Sequence, residues 1–98
     1  MRMLLIVYGG PNPQRLASLL ETHRVKGYTE VEHARGAGAS GRREGTRAWP
    51  GDSTVFFSIV PDERVDELET ALREEAAHLE ADDGSRLHVA ILPVERFF

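Results

Sequence analysis

Three short stretches of this sequence, residues 3–8, 53–60 and 87–92, are largely apolar at odd and even positions alike. A β-strand turns successive side chains to opposite faces, so a strand patterned this way needs cover on both sides. Met3, Leu5 and Val7 stand against Leu4, Ile6 and Tyr8. Val55, Phe57 and Ile59 stand against Thr54, Phe56, Ser58 and Val60, and Leu87, Val89 and Ile91 against His88, Ala90 and Leu92. A sheet of such strands is not completed by helices on one face alone.

The segments between them set the architecture. Asn12 offers an N-cap with Pro13 at the first helical position, Leu16, Leu19, Leu20 and His23 recur at helical spacing, and Gly27 stops the segment. Residues 28–34 alternate Thr29, Val31 and His33 with Tyr28, Glu30 and Glu32, the pattern of a half-exposed strand. Residues 35–52 contain Gly36, Gly38, Gly41, Gly45 and Gly51 without hydrophobic periodicity, and read as a loop much longer than the usual four to six or so residues. Pro61-Asp62 supplies a turn and an N-cap for a second helix, in which Val65, Leu68, Leu72, Ala76 and Leu79 draw one apolar stripe before Asp82-Asp83-Gly84 ends it. Pro93 closes the last strand.

The order strand, helix, strand, strand, helix, strand predicts an α+β domain over residues 1–98, with a ferredoxin-like βαββαβ topology. It has a four-stranded antiparallel sheet and both helices on one face. The other face would then expose a larger apolar patch than a soluble monomer normally carries. Another copy of the same sheet is the expected cover. The alternative is that the long loop or the Phe97-Phe98 tail folds back over it.

Charge is partitioned. Residues 61–83 carry ten acidic side chains against two basic ones, about −8, whereas the whole chain is at −4, which leaves about +4 elsewhere. Much of that positive charge lies in Arg35, Arg42, Arg43 and Arg47. Confined to one Gly-rich segment, it suits a small anion rather than a nucleic-acid face, which would be broader and interleaved with aromatics. The longest apolar run falls far short of the roughly 20 residues of a membrane span. The chain has no cysteine, and its first residues lack a signal-peptide cleavage pattern, so a cytoplasmic protein is expected, without disulfides, thiolate metal sites or membrane insertion. Ser40, Ser53 and Ser58 have no neighbouring base and no nucleophile elbow, and the acidic helix face is a solvated surface rather than a cleft, so no enzyme is indicated.

Val25-Lys26-Gly27-Tyr28-Thr29, then Arg35-Gly36-Ala37-Gly38, a long loop, and a strand running into Ile59-Val60-Pro61-Asp62-Glu63 resemble the PII signalling family from about residue 3 to 79. The closing residues 87–94 look more like the CutA family, associated with divalent metal ions. Both resemblances imply a homotrimer. The PII resemblance implies a T-loop at about residues 35–52 and a cleft between subunits for an adenine nucleotide such as ADP, AMP or ATP as effector, with no cofactor required. In it Thr29 would approach the base, Gly36 and Gly38 would let backbone N–H groups near the phosphates, and Asp83-Gly84 would stand in a second loop. Arg35, Arg42, Arg43 and Arg47 would reach the anion, and the loop would touch a transporter or regulatory protein.

Against that pattern Ser53 occupies the place of the family's phosphate-gripping lysine, and Asp82-Asp83-Gly84-Ser85-Arg86 replaces a Gly-Asp-Gly-Lys loop. A less charged ligand such as AMP, ADP or a small anion is therefore expected. One extra residue between Thr29 and Gly36 would flip the pleat unless a bulge absorbs it. Trp49 is the candidate partner anchor, with stacking on an adenine or pinning of the loop as its other roles. No metal is assigned. His33 and His88 are the candidates under the alternative of a CutA-like divalent-metal-binding trimer, against a plainer reading as hydrogen-bonded interface residues.

Overall fold

The run of alternating residues that begins the chain becomes the strand around which the sheet is sorted. The computed structural model describes residues 1–38, 41–43, 53–83 and 85–98. Strand β1 (Arg2–Gly9) is followed by helix α1 (Gln14–Thr22), β2 (Thr29–Ala34), the short strands β3 (Gly36–Gly38) and β4 (Gly41–Arg43), then β5 (Ser53–Val60). A 3-10 turn (Asp62–Arg64), helix α2 (Val65–Asp83) and β6 (Arg86–Pro93) complete it. The main sheet has the order β2-β5-β1-β6 with every neighbouring pair antiparallel, the ferredoxin-like arrangement expected from the element order. Where the sequence reads a loop from residue 35 onward, β3 and β4 form a two-stranded ladder pairing Gly36 with Arg43, Ala37 with Arg42 and Gly38 with Gly41.

Opposed residues of an antiparallel pair share a face, so the register assigns both sides. Leu4, Ile6 and Tyr8 lie opposite Ser58, Phe56 and Thr54 on β5 and Ile91, Val89 and Leu87 on β6. This layer meets both helices: Leu4, Ile6, Tyr8, Phe56 and Val60 form one buried cluster with Leu16, Ala17 and Leu20 of α1 and Val65, Leu68, Leu72 and Leu79 of α2. The stripes expected from helical spacing are those that bury. On the opposite layer Met3, Leu5 and Val7 face Ile59, Phe57 and Val55 on one side and Leu92, Ala90 and His88 on the other. Among the described residues no helix reaches this layer, and it keeps Val31 44% and Phe57 37% exposed. The tail does not close it: Phe97 lines a groove beside Phe57 and Ile59 but stays 65% exposed.

The helix ends depart from expectation. Asn12 is not the N-cap of α1. Pro13 holds that position in helical geometry without a side-chain cap bond, and the Asn12 amide instead donates to the Tyr8 hydroxyl at 3.0 Å. The first helix ends well before Gly27, in a Schellman turn. The Arg24 amide donates to the Glu21 carbonyl at 3.0 Å and the Val25 amide to the Leu20 carbonyl at 2.9 Å, with Arg24 at φ 58° where a glycine is usual. Leu20 and Val25, both buried, provide the accompanying apolar contact. The Arg64 guanidinium donates to the His23 and Arg24 carbonyls and to the Glu67 carboxylate, tying the end of α1 to the start of α2. Asp62, expected as an N-cap, lies within the 3-10 turn, which has no side-chain cap bond, and its carboxylate faces Arg2. Among the described residues no helix is long and apolar enough to cross a membrane.

Candidate functional site

The end of the sheet where β1 finishes and β5 and β6 begin gathers most of the residues singled out by sequence. Gly9 lies opposite Arg86, Tyr8 opposite both Thr54 and Leu87, and Val7 opposite Val55 and His88. Gly10 fits this end closely: a Cβ there would come within 2.5 Å of the Ser85 Oγ and of the Tyr8 hydroxyl. The turn after β1 and the connection from α2 into β6 are thereby locked together. Ser85 is fully buried at that contact.

The extra residue of β2 is absorbed here. Val31 pairs with Val55 but Ala34 pairs with Ser53, so Glu32 and His33 together oppose the single residue Thr54, and His33 takes φ 59°. This is a β-bulge, and it restores the pleat. Ala34 returns to the uncovered layer, and Arg35 and Gly36 follow over the mouth of the sheet. The result is a groove of about 340 Å³ lined by Val7, Ala34, Arg35, Gly36, Ser53, Val55 and His88. Its floor is aliphatic. Among the described residues its polar groups are a guanidinium, an imidazole, a hydroxyl and a glycine backbone. Such a set favours an anion over a metal ion, because the guanidinium brings fixed positive charge and forked donors. A Cβ on Gly36 would meet no described atom within 4 Å, so no described residue requires glycine there.

The other expected residues divide between places. Gly38 lies in β3, and Arg42 and Arg43 lie in β4, across the ladder that starts at Gly36. Asp83, expected in a second loop, is instead the last residue of α2, three before Arg86. Arg47, Trp49 and Gly84 lie outside the described residues. Thr29 is at the far end of the sheet. It pairs with Phe57, four residues or roughly 13 Å along β5 from the Ser53 pairing of Ala34. There Gly27, Tyr28, Thr29, Phe57, Ser58, Ile59 and Phe97 line a second groove of about 370 Å³. The Ser58 hydroxyl donates to the Gly27 carbonyl, and the Tyr28 hydroxyl donates to the Glu21 carboxylate at 2.9 Å. That hydrogen bond to an anion holds the Tyr28 phenol above its ordinary 10.0. Thr29 and Arg35 therefore do not meet within one chain.

His33 and His88 are both exposed and belong to the two opposite edge strands, three strand spacings or roughly 14 Å apart. Among the described residues no group of three or more His, Asp or Glu is placed to hold a metal ion. The resemblance already placed Ser53 near the phosphates, but sequence reasoning did not foresee that His88 lines the same groove as Arg35. The signal was present in the pleat, since Ser53 is in phase with Val55 and His88 is in phase with Ala90, but it depends on the strand register.

No family model and no curated protein matches the sequence. Solved structures do. CPII of Thiomonas intermedia K12, a nitrogen regulatory PII-like protein, is similar in its form bound to ADP, AMP and bicarbonate at 27% identity and a TM-score of 0.67. That match covers 97% of this chain and 88% of CPII. The form bound to ADP and bicarbonate is similar at 25% identity and a TM-score of 0.66, with the same coverage. A Thermus thermophilus chain described as a PII-like signalling protein matches at 24% identity and a TM-score of 0.61, covering 95% of this chain and 86% of that one.

Proposed function

We propose, from the premise that this chain is a PII-like protein, that three copies assemble through their uncovered sheet faces and bind an adenine nucleotide, with or without a small anion, between neighbours. One observation carries the reading: the β2 bulge sets Arg35 and Gly36 over the apolar face at the root of segment 35–52. A ligand in that groove would touch both the segment and the surface that an adjoining copy covers. The distance of Thr29 from Arg35 supports a shared site, because only a neighbour's Thr29 could approach a ligand held at Arg35. CPII, seen with ADP, AMP and bicarbonate, supports those three as the first ligands to test.

In this reading the nucleotide's phosphates meet Arg35, the β3 backbone and the β4 arginines Arg42 and Arg43, with Arg47 and Gly84 as further contacts. Bound ligand orders segment 35–52, and the ordered segment, with Trp49 as an anchor, engages a transporter or regulatory protein in the cytoplasm. Ligand binding and partner binding are then coupled through one conformational equilibrium. The chain acts as a signalling protein and catalyses nothing. A CutA-like metal-binding trimer is not favoured, since the similar structures are PII-like and His33 and His88 lie on opposite edges.

Thermal melting with ADP, AMP, ATP, bicarbonate, Cu²⁺ and Zn²⁺, run beside light scattering, tests the proposal. A trimer mass with a rise in Tm for ADP or AMP is expected, because a ligand of the folded state stabilises it by mass action. A single-chain mass, or a response to metal alone, would refute it.

A further inference from the structure

We infer that Phe98 of one copy seats in the groove between α2 and β6 of a neighbouring copy, so that the residues after Pro93 form an arm that locks successive copies head to tail. The inference rests on the proposed assembly for there being a neighbour, but it concerns a second surface, on the helix side of the sheet.

Leu87, Val89 and Ile91 of β6 lie opposite Tyr8, Ile6 and Leu4 and so belong to the layer that faces the helices. β6 is an edge of the sheet, and here that layer is only partly covered. Between these three side chains and Leu72 and Ala76 of α2 lies a groove of about 370 Å³, with Glu69 and Arg73 at its rim. Val89 stays exposed in it, although it stands on the side that the helices cover. A copy placed against the opposite layer does nothing for this groove. An apolar space of about 150 Å³ is enough to take up a benzene ring, and this groove, open at its mouth, is larger.

The side chain that fits it is at the other edge. The arm leaves β6 at Pro93, donates its Val94 amide to the Met1 carbonyl at 3.2 Å, and passes the start of β1 to bring Phe97 against Phe57, Ser58 and Ile59 of β5 and Thr29 of β2. Phe97 holds the arm there, and Phe98 beyond it is wholly exposed. β2 and β6 are the two edges of the sheet, so the ring and the groove of one chain lie on opposite sides and do not meet. A heterologous contact has this form, a feature at one edge meeting a different feature at the other, and its repetition closes a ring. Aromatic side chains seated in apolar pockets are the usual anchors of protein contacts. Charge agrees with the pairing. The arm carries exposed Glu95 and Arg96, and the groove rim offers each a group of opposite sign, Arg73 and Glu69, which within one chain are joined to each other at 2.9 Å. The rest of α2 is predominantly acidic, which suits Arg96.

The chain has no cysteine, so cysteines can be placed at will. A short bis-maleimide should join the Phe98→Cys, Val89→Cys double variant into covalent trimers, whereas either single variant cannot pass two chains. On dilution, light scattering should show Phe98→Asp coming apart at about ten- to hundredfold higher protein concentration than the parent, with Phe98→Leu between them. A double variant that scatters as a trimer yet passes no further than two linked chains overturns the inference, as does a Phe98→Asp protein that dissociates like the parent; either result leaves assembly through the uncovered faces standing. Covalent trimers whose Tm does not rise with ADP would instead remove the nucleotide reading and leave the arm in place. A single-chain mass at every concentration overturns both. Phe98 and Val89 are exposed, so their variants should fold, and circular dichroism melts verify that each does.

Discussion

The two faces of the sheet are built from nearly the same residues and end in different states. Phe56 and Phe57 are neighbours in sequence, yet Phe56 is fully buried under the helices while Phe57 is more than a third exposed on the other side. Composition does not separate them. Connectivity does, since crossovers of one hand return both helices to the same side of the sheet. The covered face is satisfied within one chain. No described residue covers the other face, with Leu5, Val7, Val31, Val55, Phe57 and Leu92, so folding and assembly are separable questions here.

The largest effect that separates the faces comes from truncating the two phenylalanines. Phe56→Ala should cost about 3–5 kcal/mol at any protein concentration, read by urea unfolding. Phe57→Asp should leave the unfolding of the isolated chain within about 1 kcal/mol of the parent. Its main effect should be to reduce the mass seen by light scattering to one chain. Equal losses in both variants would mean that the faces are not distinct. Next in size is Gly10→Ala, whose Cβ would press on Ser85 and Tyr8 and should cost about 1–3 kcal/mol. Gly27→Ala is its control: a Cβ there meets nothing within 4 Å, and less than about 0.5 kcal/mol should be lost.

Smaller changes test how firmly α1 is held to the covered face. Arg24→Gly relieves the left-handed turn that ends this helix and should raise stability by up to about 1 kcal/mol in thermal melts. The smallest effect is that of pH on Glu67, whose carboxyl is held below its ordinary 4.5 by hydrogen bonds from His23 and Arg64. A group whose folded value is depressed stabilises the fold above its unfolded value and loses that contribution as pH falls through the folded one. Stability should therefore decline slightly more below pH 4.5 in the parent than in Glu67→Gln, as melts across pH 3–6 would record.

The architecture was legible because apolar alternation and helical stripes are local signals, and Leu16, Leu20, Leu68, Leu72 and Leu79 bury as their spacing requires. The helix ends were less legible. Asn12 and Asp62 have good capping chemistry, but Asn12 gives its amide to Tyr8 and the Asp62 carboxylate turns to Arg2, and neither competing contact is visible along the chain. Gly27 looked like the stop of α1, yet Arg24 takes the left-handed position that glycine favours, aided by Arg64 from forty residues away. Of the candidate site, Arg35 and Gly36 were found by their motif. Ser53 was placed by the resemblance, His88 required the register of two other strands, and the position of Thr29 at the remote end required the whole sheet.

The bulge at His33 gives the length of β2 an unusual leverage. A one-codon deletion between Val31 and Ala34 would remove the bulge and leave Ala34 opposite Ser53, whereas a one-codon insertion there, with the bulge kept, would turn Ala34 toward the helices and carry Arg35 out of phase with the groove. An in-frame insertion of that kind would yield a protein that still folds yet no longer presents its cation to a ligand, so indels here are a sharper genetic probe of the site than point changes.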